Sequence, residues 1–281
     1  MSAELHRLAA LGWDAPEPAT DGVRYLVSPN GSAVSYPEEG FEVLGLEGGA
    51  GFWFDHRADA VRHQAELLGI SSMWEVGAGT GAMAQRLRST VRDVVTVEPL
   101  RSGARASAAL GMTSLCGTLE DVRLPDQSIE AVGAFDVLEH VEDPASLIDE
   151  IHRILRPGGA VMATVPAFQS LWGDEDDVAG HYRRYTRSLL DRSFATSRFR
   201  RVRSQYLFAS LVPLAGVLRA LPYRLGRRSS NAAVLERMRR QLTVKPSAER
   251  LARAALATES AISRVVPLPF GLSVLGVYSK R

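Results

Sequence analysis

The sequence predicts an α/β protein built on a doubly wound, mostly parallel sheet, and three observations carry that prediction. Short apolar runs of strand length, such as MWEV, DVVTVE and AVMATVP, alternate with helix-patterned segments over residues 70–166. Glycines and prolines punctuate the joints, as at Gly69, Gly111 and Arg156-Pro157-Gly158-Gly159. A glycine-dense turn, GAGTG at 77–81, follows the first of the apolar runs directly and opens the next helix.

The elements follow in order. Residues 1–50 hold many turn formers and read as a small β-rich lead-in, with short strands RYLV and SAVSY about a Pro-Asn-Gly turn. A helix of about 54–68 closes at Gly69. Strand MWEVG, a helix over 80–89, strand DVVTVE, a helix over 101–110 and a weak strand TSLCG come next. A fourth strand lies within IEAVGAFDVLEHV, and a helix over 144–155 begins at Pro144 and ends at RPGG. AVMATVP is the fifth strand. Residues 167–186 read as a polar loop with aromatic punctuation, TRSLLDRSFATS as a helix capped by its Thr, and RFRRVRSQYLF as a strand. Residues 210–264 form a basic helical insert interrupted by Pro213, Pro222 and Pro246, before a last apolar strand, FGLSVLGVYS. The division is a lead-in over 1–50 that could cover an acceptor site, then one domain over 51–281 containing the insert.

Composition narrows the function classes. The single cysteine, Cys116, rules out an internal disulfide and a multi-cysteine zinc site, and fits a reducing, cytoplasmic setting. No run of about 20 apolar residues is present, so no membrane-spanning segment is expected. The net charge of +1 hides an asymmetry: residues 200–264 hold 14 Lys and Arg against 3 Asp and Glu, while residues 1–199 hold 17 against 29. Such a division suits either an interaction surface or mutual neutralisation of the two halves. Aromatic residues do not alternate with the arginines, which argues against a nucleic-acid partner.

The glycine turn has two candidate ligand classes. A dinucleotide turn wants G-x-G-x-x-G, but this sequence has G-x-G-x-G with Glu75 at the strand end before it. A carboxylate there would repel a pyrophosphate and suit a cationic group. Glu98 ends the next strand, where its two oxygens can accept both hydroxyls of a ribose, or where it could instead cap the following helix. The ligand these residues describe is an adenosine carrying an amino acid.

The run of Glu75, Gly77, Ala78, Gly79 and Gly81 resembles motif I of the class I S-adenosylmethionine-dependent methyltransferases, and Glu98-Pro99 resembles that family's ribose-binding position. GTLEDVRLPDQSIEAVGAFDVLEHVEDP resembles its next two motifs, which places Leu119, Glu120 and Asp121 by the adenine and Phe135 and Asp136 under the methionine part. Leu119 also reads as core, and Asp136 and Glu139 as a solvated helix start. The resemblance implies a Rossmann-like fold with a C-terminal antiparallel strand and S-adenosylmethionine as cofactor. It implies methyl transfer to a small-molecule or lipid-like acceptor. Two rival functions stay open: a cofactor-binding module without turnover, and a nucleotide-dependent oxidoreductase.

Methyl transfer is an in-line displacement in which alignment does most of the work, and a base is needed only where the nucleophile must lose a proton. His140, in VLEHVEDP, and His181, in GHYRRYT, are the candidate bases, with loop-stabilising hydrogen bonds as the alternative. GDEDDVAGHYRRYT resembles a stretch of the type 11 and type 12 methyltransferase domains. In it Arg183 and Arg184, flanked by Tyr182 and Tyr185 and preceded by Trp172, could fork onto an anionic acceptor or pair with the acids at 174–177. FWFDHR resembles an FWF-x-x-R stretch of the same subgroup, so Phe52, Trp53, Phe54 and Arg57 could wall the acceptor pocket or staple the helix to the sheet. No residues have ligand spacing for zinc, and no metal is expected. The apolar piece QYLFASLVPLAGVLRALPYRLGRRS has three readings: a lid, a homodimer contact or a weak membrane-surface contact. Its prolines break it into short pieces, which weighs against the last.

Overall fold

A computed structural model describes residues 3–26, 51–242 and 246–281 of the chain. The expected Pro-Asn-Gly turn and the SAVSY strand lie outside the described residues. Helix α1 (Ala3–Ala9) and strand β1 (Val23–Tyr25) precede α2 (Phe52–Leu68), β2 (Ser72–Val76), α3 (Ala82–Leu87), β3 (Asp93–Glu98), α4 (Arg101–Ala109) and β4 (Thr113–Cys116). Then come α5 (Leu119–Val122), β5 (Ile129–Phe135), α6 (Pro144–Ile154), β6 (Leu155–Pro166), α7 (Asp174–Ala179), α8 (Arg187–Thr196) and β7 (Phe199–Leu207). The chain closes with α9 (Val212–Ala215), a π-helical turn (Gly216–Ala220), α10 (Leu221–Arg224), α11 (Asn231–Leu242), α12 (Pro246–Val265) and β8 (Ser273–Lys280).

The strands form one sheet in the order β1-β4-β3-β2-β5-β6-β8-β7. β1 through β6 pair parallel, and β8 runs antiparallel between β6 and β7. The doubly wound fold class is therefore as the sequence predicts. Strand order reverses at β2, with β3 on one side and β5 on the other. In such sheets the crevice beyond the carboxyl ends at the reversal is where ligands bind. The β2 strand is buried throughout, as a central parallel strand must be. Helices cover both faces. One core layer includes Trp74, Val95, Ile151 and Phe194, the other Val61, Met73, Leu87 and Met162.

Three segments differ from the sequence reading. The lead-in begins with a helix: Leu5 and Leu8 of α1 join the main core, Trp13 donates to the Val122 carbonyl at 2.7 Å, and β1 extends the main sheet beside β4. RPGG does not end α6 in a loop. The β5–β6 register jumps from Ile129↔Leu155 to Ala131↔Ala160, so these four residues are spent as an irregularity inside β6. Pro213 and Pro222 do not break the insert into pieces either. Pro213 lies in the first turn of α9, where its missing N–H costs nothing. Pro222 follows the wider π turn, which relieves the clash that its ring would have with the carbonyl one turn earlier. Residues 212–224 are thus one continuous helical run, with Leu225 as its C-cap.

Candidate active site

The glycine turn leaves β2 at the strand-order reversal. Gly77 has φ +62°, and a Cβ added there would stand 2.7 Å from Cγ2 of Val137. Gly81 has φ +78°, and its Cβ would meet Ser107 of α4 at 2.6 Å from the hydroxyl and 3.0 Å from the backbone. Protein packing therefore requires both glycines before any ligand is considered. Gly77→Ala is expected to lower stability by about 1–2 kcal/mol through the left-handed backbone alone. That corresponds to a fall of about 2–8 °C in a thermal melt. An unchanged midpoint would refute this account of the turn.

Two acids flank the turn. Glu75 is 2% and Glu98 4% exposed, and neither has a cationic partner among the described residues. Glu98 accepts the Gly79 N–H at 2.8 Å on one oxygen and the Leu100 N–H at 2.9 Å on the other. Each oxygen keeps a lone pair for a further donor. Burial pushes the Glu98 carboxyl up to about 7. Burial, with Glu98 nearby and the backbone N–H of Ala84 partly offsetting it, pushes Glu75 up to about 8. One oxygen of Glu75 is buried without a hydrogen-bond partner. Isolated acids at this depth are costly unless a cation or a proton meets them.

The other residues expected on this side divide. Ala78 closes the turn through its carbonyl, which accepts the Gly81 N–H at 2.9 Å, and the Pro99 carbonyl faces the Cys116 thiol at 3.7 Å. Asp121 caps α5 by accepting both the N–H and the hydroxyl of Thr118 at 2.9 Å, while Glu120 is exposed. Leu119 lies in the core, and so does Phe135, whose ring packs beneath Gly133 and Met73. Asp136 adopts φ +57°, sparsely populated for a side-chain residue. Its carboxylate accepts from the Thr164 hydroxyl at 3.0 Å and pairs with Arg57 of α2.

Arg57 thus locks α2 to the end of β5. Its guanidinium lies 5.9 Å from the centroid of the Trp53 ring, which stacks at 3.7 Å on Phe208. Phe54 turns toward Arg86, and Phe52 packs against the second core layer. Of the aromatic trio, Trp53 is the one packed between Arg57 and the strand end at Phe208.

A second set of groups collects after β5 and β6. Glu139 is 1% exposed, so it is no solvated helix start. The rings of His140 and His181 meet edge to face at 4.6 Å. The His181 Nδ1 lies 2.7 Å from Asp176, the third of the four consecutive acids at 174–177. Asp176 also accepts a fork from Arg184, at 2.8 Å on each arm, and the Gly173 N–H at 2.8 Å. Burial opposes ionisation of Asp176, but His181 and Arg184 outweigh it and hold the carboxyl down to about 2. His140 is hydrogen-bonded to the backbone of Ala179, and burial and the neighbouring His181 push it down to about 3, so it is neutral at physiological pH. Burial, with Asp136 nearby, raises the Glu139 carboxyl well above the ordinary carboxylate range.

The remaining acceptor-side residues are placed as follows. Trp172 donates to Asp177 at 2.8 Å with its ring 6.4 Å from His181. Tyr182 is exposed and Arg183 reaches the Glu142 carbonyl at the rim. Arg184 is committed to Asp176 and is not a free anion clamp. Tyr185 is core, 1% exposed, with its hydroxyl donating to the Leu138 carbonyl at 3.2 Å, so it lines no acceptor pocket.

Glu139, His140 and His181 bring ligand-type atoms within 4.8 Å of one another, and by donor type they could hold a divalent cation. The surrounding charge is already balanced, however, with Arg57 against Asp136 and Arg184 against Asp176. The paired Asp176 and His181, with His140 against the His181 ring, suit proton handling better than a cation site. An imidazole whose Nδ1 is fixed on a carboxylate presents its Nε2 as a base.

Comparison with known proteins bears on the reading. The family described as "Methyltransferase domain" matches residues 74–163. An uncharacterized methyltransferase of Mycobacterium tuberculosis is 37% identical over 111 residues, 39% of this chain and 42% of that protein. A ubiquinone biosynthesis O-methyltransferase of Psychrobacter cryohalolentis is 30% identical over 118 residues, 38% of this chain and 46% of that one. The chain thus spans less than half the length of these relatives. Among solved structures, a SAM-dependent methyltransferase of Thermotoga maritima has a similar fold. Its TM-score is 0.55 at 19% identity, over 87% of this chain and 96% of that one. Phosphoethanolamine N-methyltransferase 2 of Haemonchus contortus, solved with phosphomonomethylethanolamine and S-adenosylhomocysteine, has a TM-score of 0.51 at 14% identity. It covers 87% of this chain and 58% of that one.

Proposed function

We propose that this chain, whose residues 74–163 match the family described as "Methyltransferase domain", transfers a methyl group from S-adenosylmethionine to a small-molecule or lipid-like acceptor. The observation that carries the reading is the pairing of two chemistries at one end of the sheet. Unpaired buried acids flank a bare-backbone turn, and an Asp176-oriented His181 stands with His140 after the neighbouring strands. The donor site fits its ligand by charge: the orphaned oxygen of Glu75 suits a cationic group, and the spare lone pairs of Glu98 suit two ribose hydroxyls. S-adenosylmethionine supplies an electrophilic methyl on a sulfonium. His181 takes the proton of the acceptor's nucleophile at Nε2, Asp176 stabilises the imidazolium through Nδ1, and Arg184 holds Asp176 in place. Trp53 and Trp172 supply apolar walls, and Arg183 at the rim is the arginine open to an anionic group. The sole cysteine, Cys116, is buried and free, in keeping with action in a reducing compartment.

Incubating the purified protein with labelled S-adenosylmethionine and a metabolite extract is the direct test, with label expected in an extracted compound. Calorimetry should register S-adenosylmethionine and not NAD. Binding without any transfer would favour the module that holds its cofactor without turnover, and NAD binding would favour an oxidoreductase.

A pH dependence follows from the two acids. A cationic donor prefers them ionised, so donor affinity is expected to rise from pH 6 to pH 8, by at most about tenfold per unit for each acid. The donor-free protein behaves oppositely. Folded pKa values above the unfolded ones give stability that is full below about pH 4.5 and lost as pH rises through 7 to 8. Melting with and without donor across that range checks both signs, and parallel curves would refute the assignment.

A further inference from the structure

We propose that the helical run over 212–224, with its C-cap Leu225, docks the protein onto an anionic lipid surface beside the acceptor loop. This deepens the lipid-like half of the proposed acceptor class and rests on that reading for its purpose, though not for its test. Leu214, Val217, Leu218, Leu221 and, at the C-cap, Leu225 lie along this run, and all five are between 49% and 64% exposed. The stripe exists because the π turn carries the helix past Pro222. The opposite side is held inward: Ala220 is buried, and Arg219 pairs with Glu175 of α7 at 3.1 Å, next to Asp176. An outward apolar face is therefore bolted to the very helix that orients His181.

Charge selects the occupant. Between Asp191 and Glu236 the chain contains no Asp or Glu. Arg224 and Arg227 are exposed at the end of the stripe, with no acidic partner among the described residues. Arg228 beside them is 54% exposed, paired with Asp177 and lying 3.4 Å over the Tyr223 ring. An amphipathic helix with aliphatic residues on one side and arginines at its flank suits a membrane interface with anionic headgroups. A twofold contact with a second copy would bring the same arginine-bearing face together with no carboxylate from this segment to meet it. Among the described residues no helix is long and apolar enough to cross a membrane, so the contact is with the surface.

Co-sedimentation of the intact protein with vesicles tests the proposal. Vesicles of phosphatidylcholine mixed with phosphatidylglycerol should pellet the protein, and phosphatidylcholine alone should leave it in solution. Leu218→Asp and, as a second variant, Leu221→Ser should release it. Replacing Arg224 and Arg227 by alanine should weaken binding by about fivefold per arginine and flatten its salt dependence. A cooperative thermal melt with an unchanged midpoint certifies that each variant is folded. Protein that stays soluble with both vesicle types overturns the proposal. So does a dimer in sedimentation velocity that Leu218→Asp dissociates, since a second copy would then cover the face. Failure of the methyltransferase reading would instead be seen as absent donor binding in the unsubstituted protein, with vesicle binding intact.

Discussion

Asp176→Asn is expected to cut methyl transfer to an acceptor with a proton-bearing nucleophile by about 10²–10⁴-fold, the range a positioned base contributes. The amide would offer an N–H to His181 Nδ1, leaving the ring proton on Nε2 and removing the lone pair that faces the acceptor. His181→Ala should cost a similar factor, and the double variant should lose little more, because residues acting as a unit are not additive. Neither change touches the turn at 77–81, so the donor's dissociation constant should hold within about twofold, an energy below 0.5 kcal/mol. That split between turnover and donor binding separates proton handling from scaffolding. Asp176 is buried against Arg184, so some loss of melting temperature is expected as well. His181→Gln, which leaves that pair intact, provides the cleaner variant. Full turnover in His181→Gln would remove the imidazole from the mechanism and leave alignment alone to explain the rate.

The central sheet was legible because its signals are local. β2 and β3 are short buried apolar runs with glycine or acid at their ends, and helix α2 stops at Gly69 in the left-handed conformation that its sequence position announces. The acceptor side was less legible because its partners are set by tertiary structure. Arg57 and Asp136 meet across 79 residues, and nothing in either segment points to the other. The glycines at 77 and 81 read as room for a ligand, whereas Val137 and Ser107 already claim that space. Asp176 was hidden among four consecutive acidic residues, although its five-residue spacing from His181, with Gly180 turning the chain between them, is a signal that a closer reading could use. Burial also inverted the meaning of Glu139, which a sequence window shows as polar and the fold places beneath the Tyr182 backbone. Prolines misled for a related reason: a π turn is a backbone adjustment with no residue signature of its own.

Glu98→Ala should weaken S-adenosylmethionine binding by about 2 kcal/mol, close to a 30-fold rise in dissociation constant. The loss has two sources. The ribose hydroxyls would lose a charge-assisted acceptor, and the Gly79 and Leu100 N–H groups, now held at 2.8 and 2.9 Å, would lose theirs and leave the turn less fixed. Glu98→Gln separates the two. The amide oxygen can still accept one of those N–H groups but carries no charge, so the loss should be intermediate. Donor-free stability argues in the opposite direction. A buried acid with its pKa raised to about 7 costs the protein stability at pH 8, so Glu98→Gln should melt higher than the unsubstituted protein there while binding more weakly. Opposed signs in one variant are difficult to produce by general damage, which lowers both quantities together. Calorimetric titration and melting at pH 8 on the same preparation would decide the matter. A dissociation constant unmoved by either substitution would detach Glu98 from the ribose and return it to capping α4.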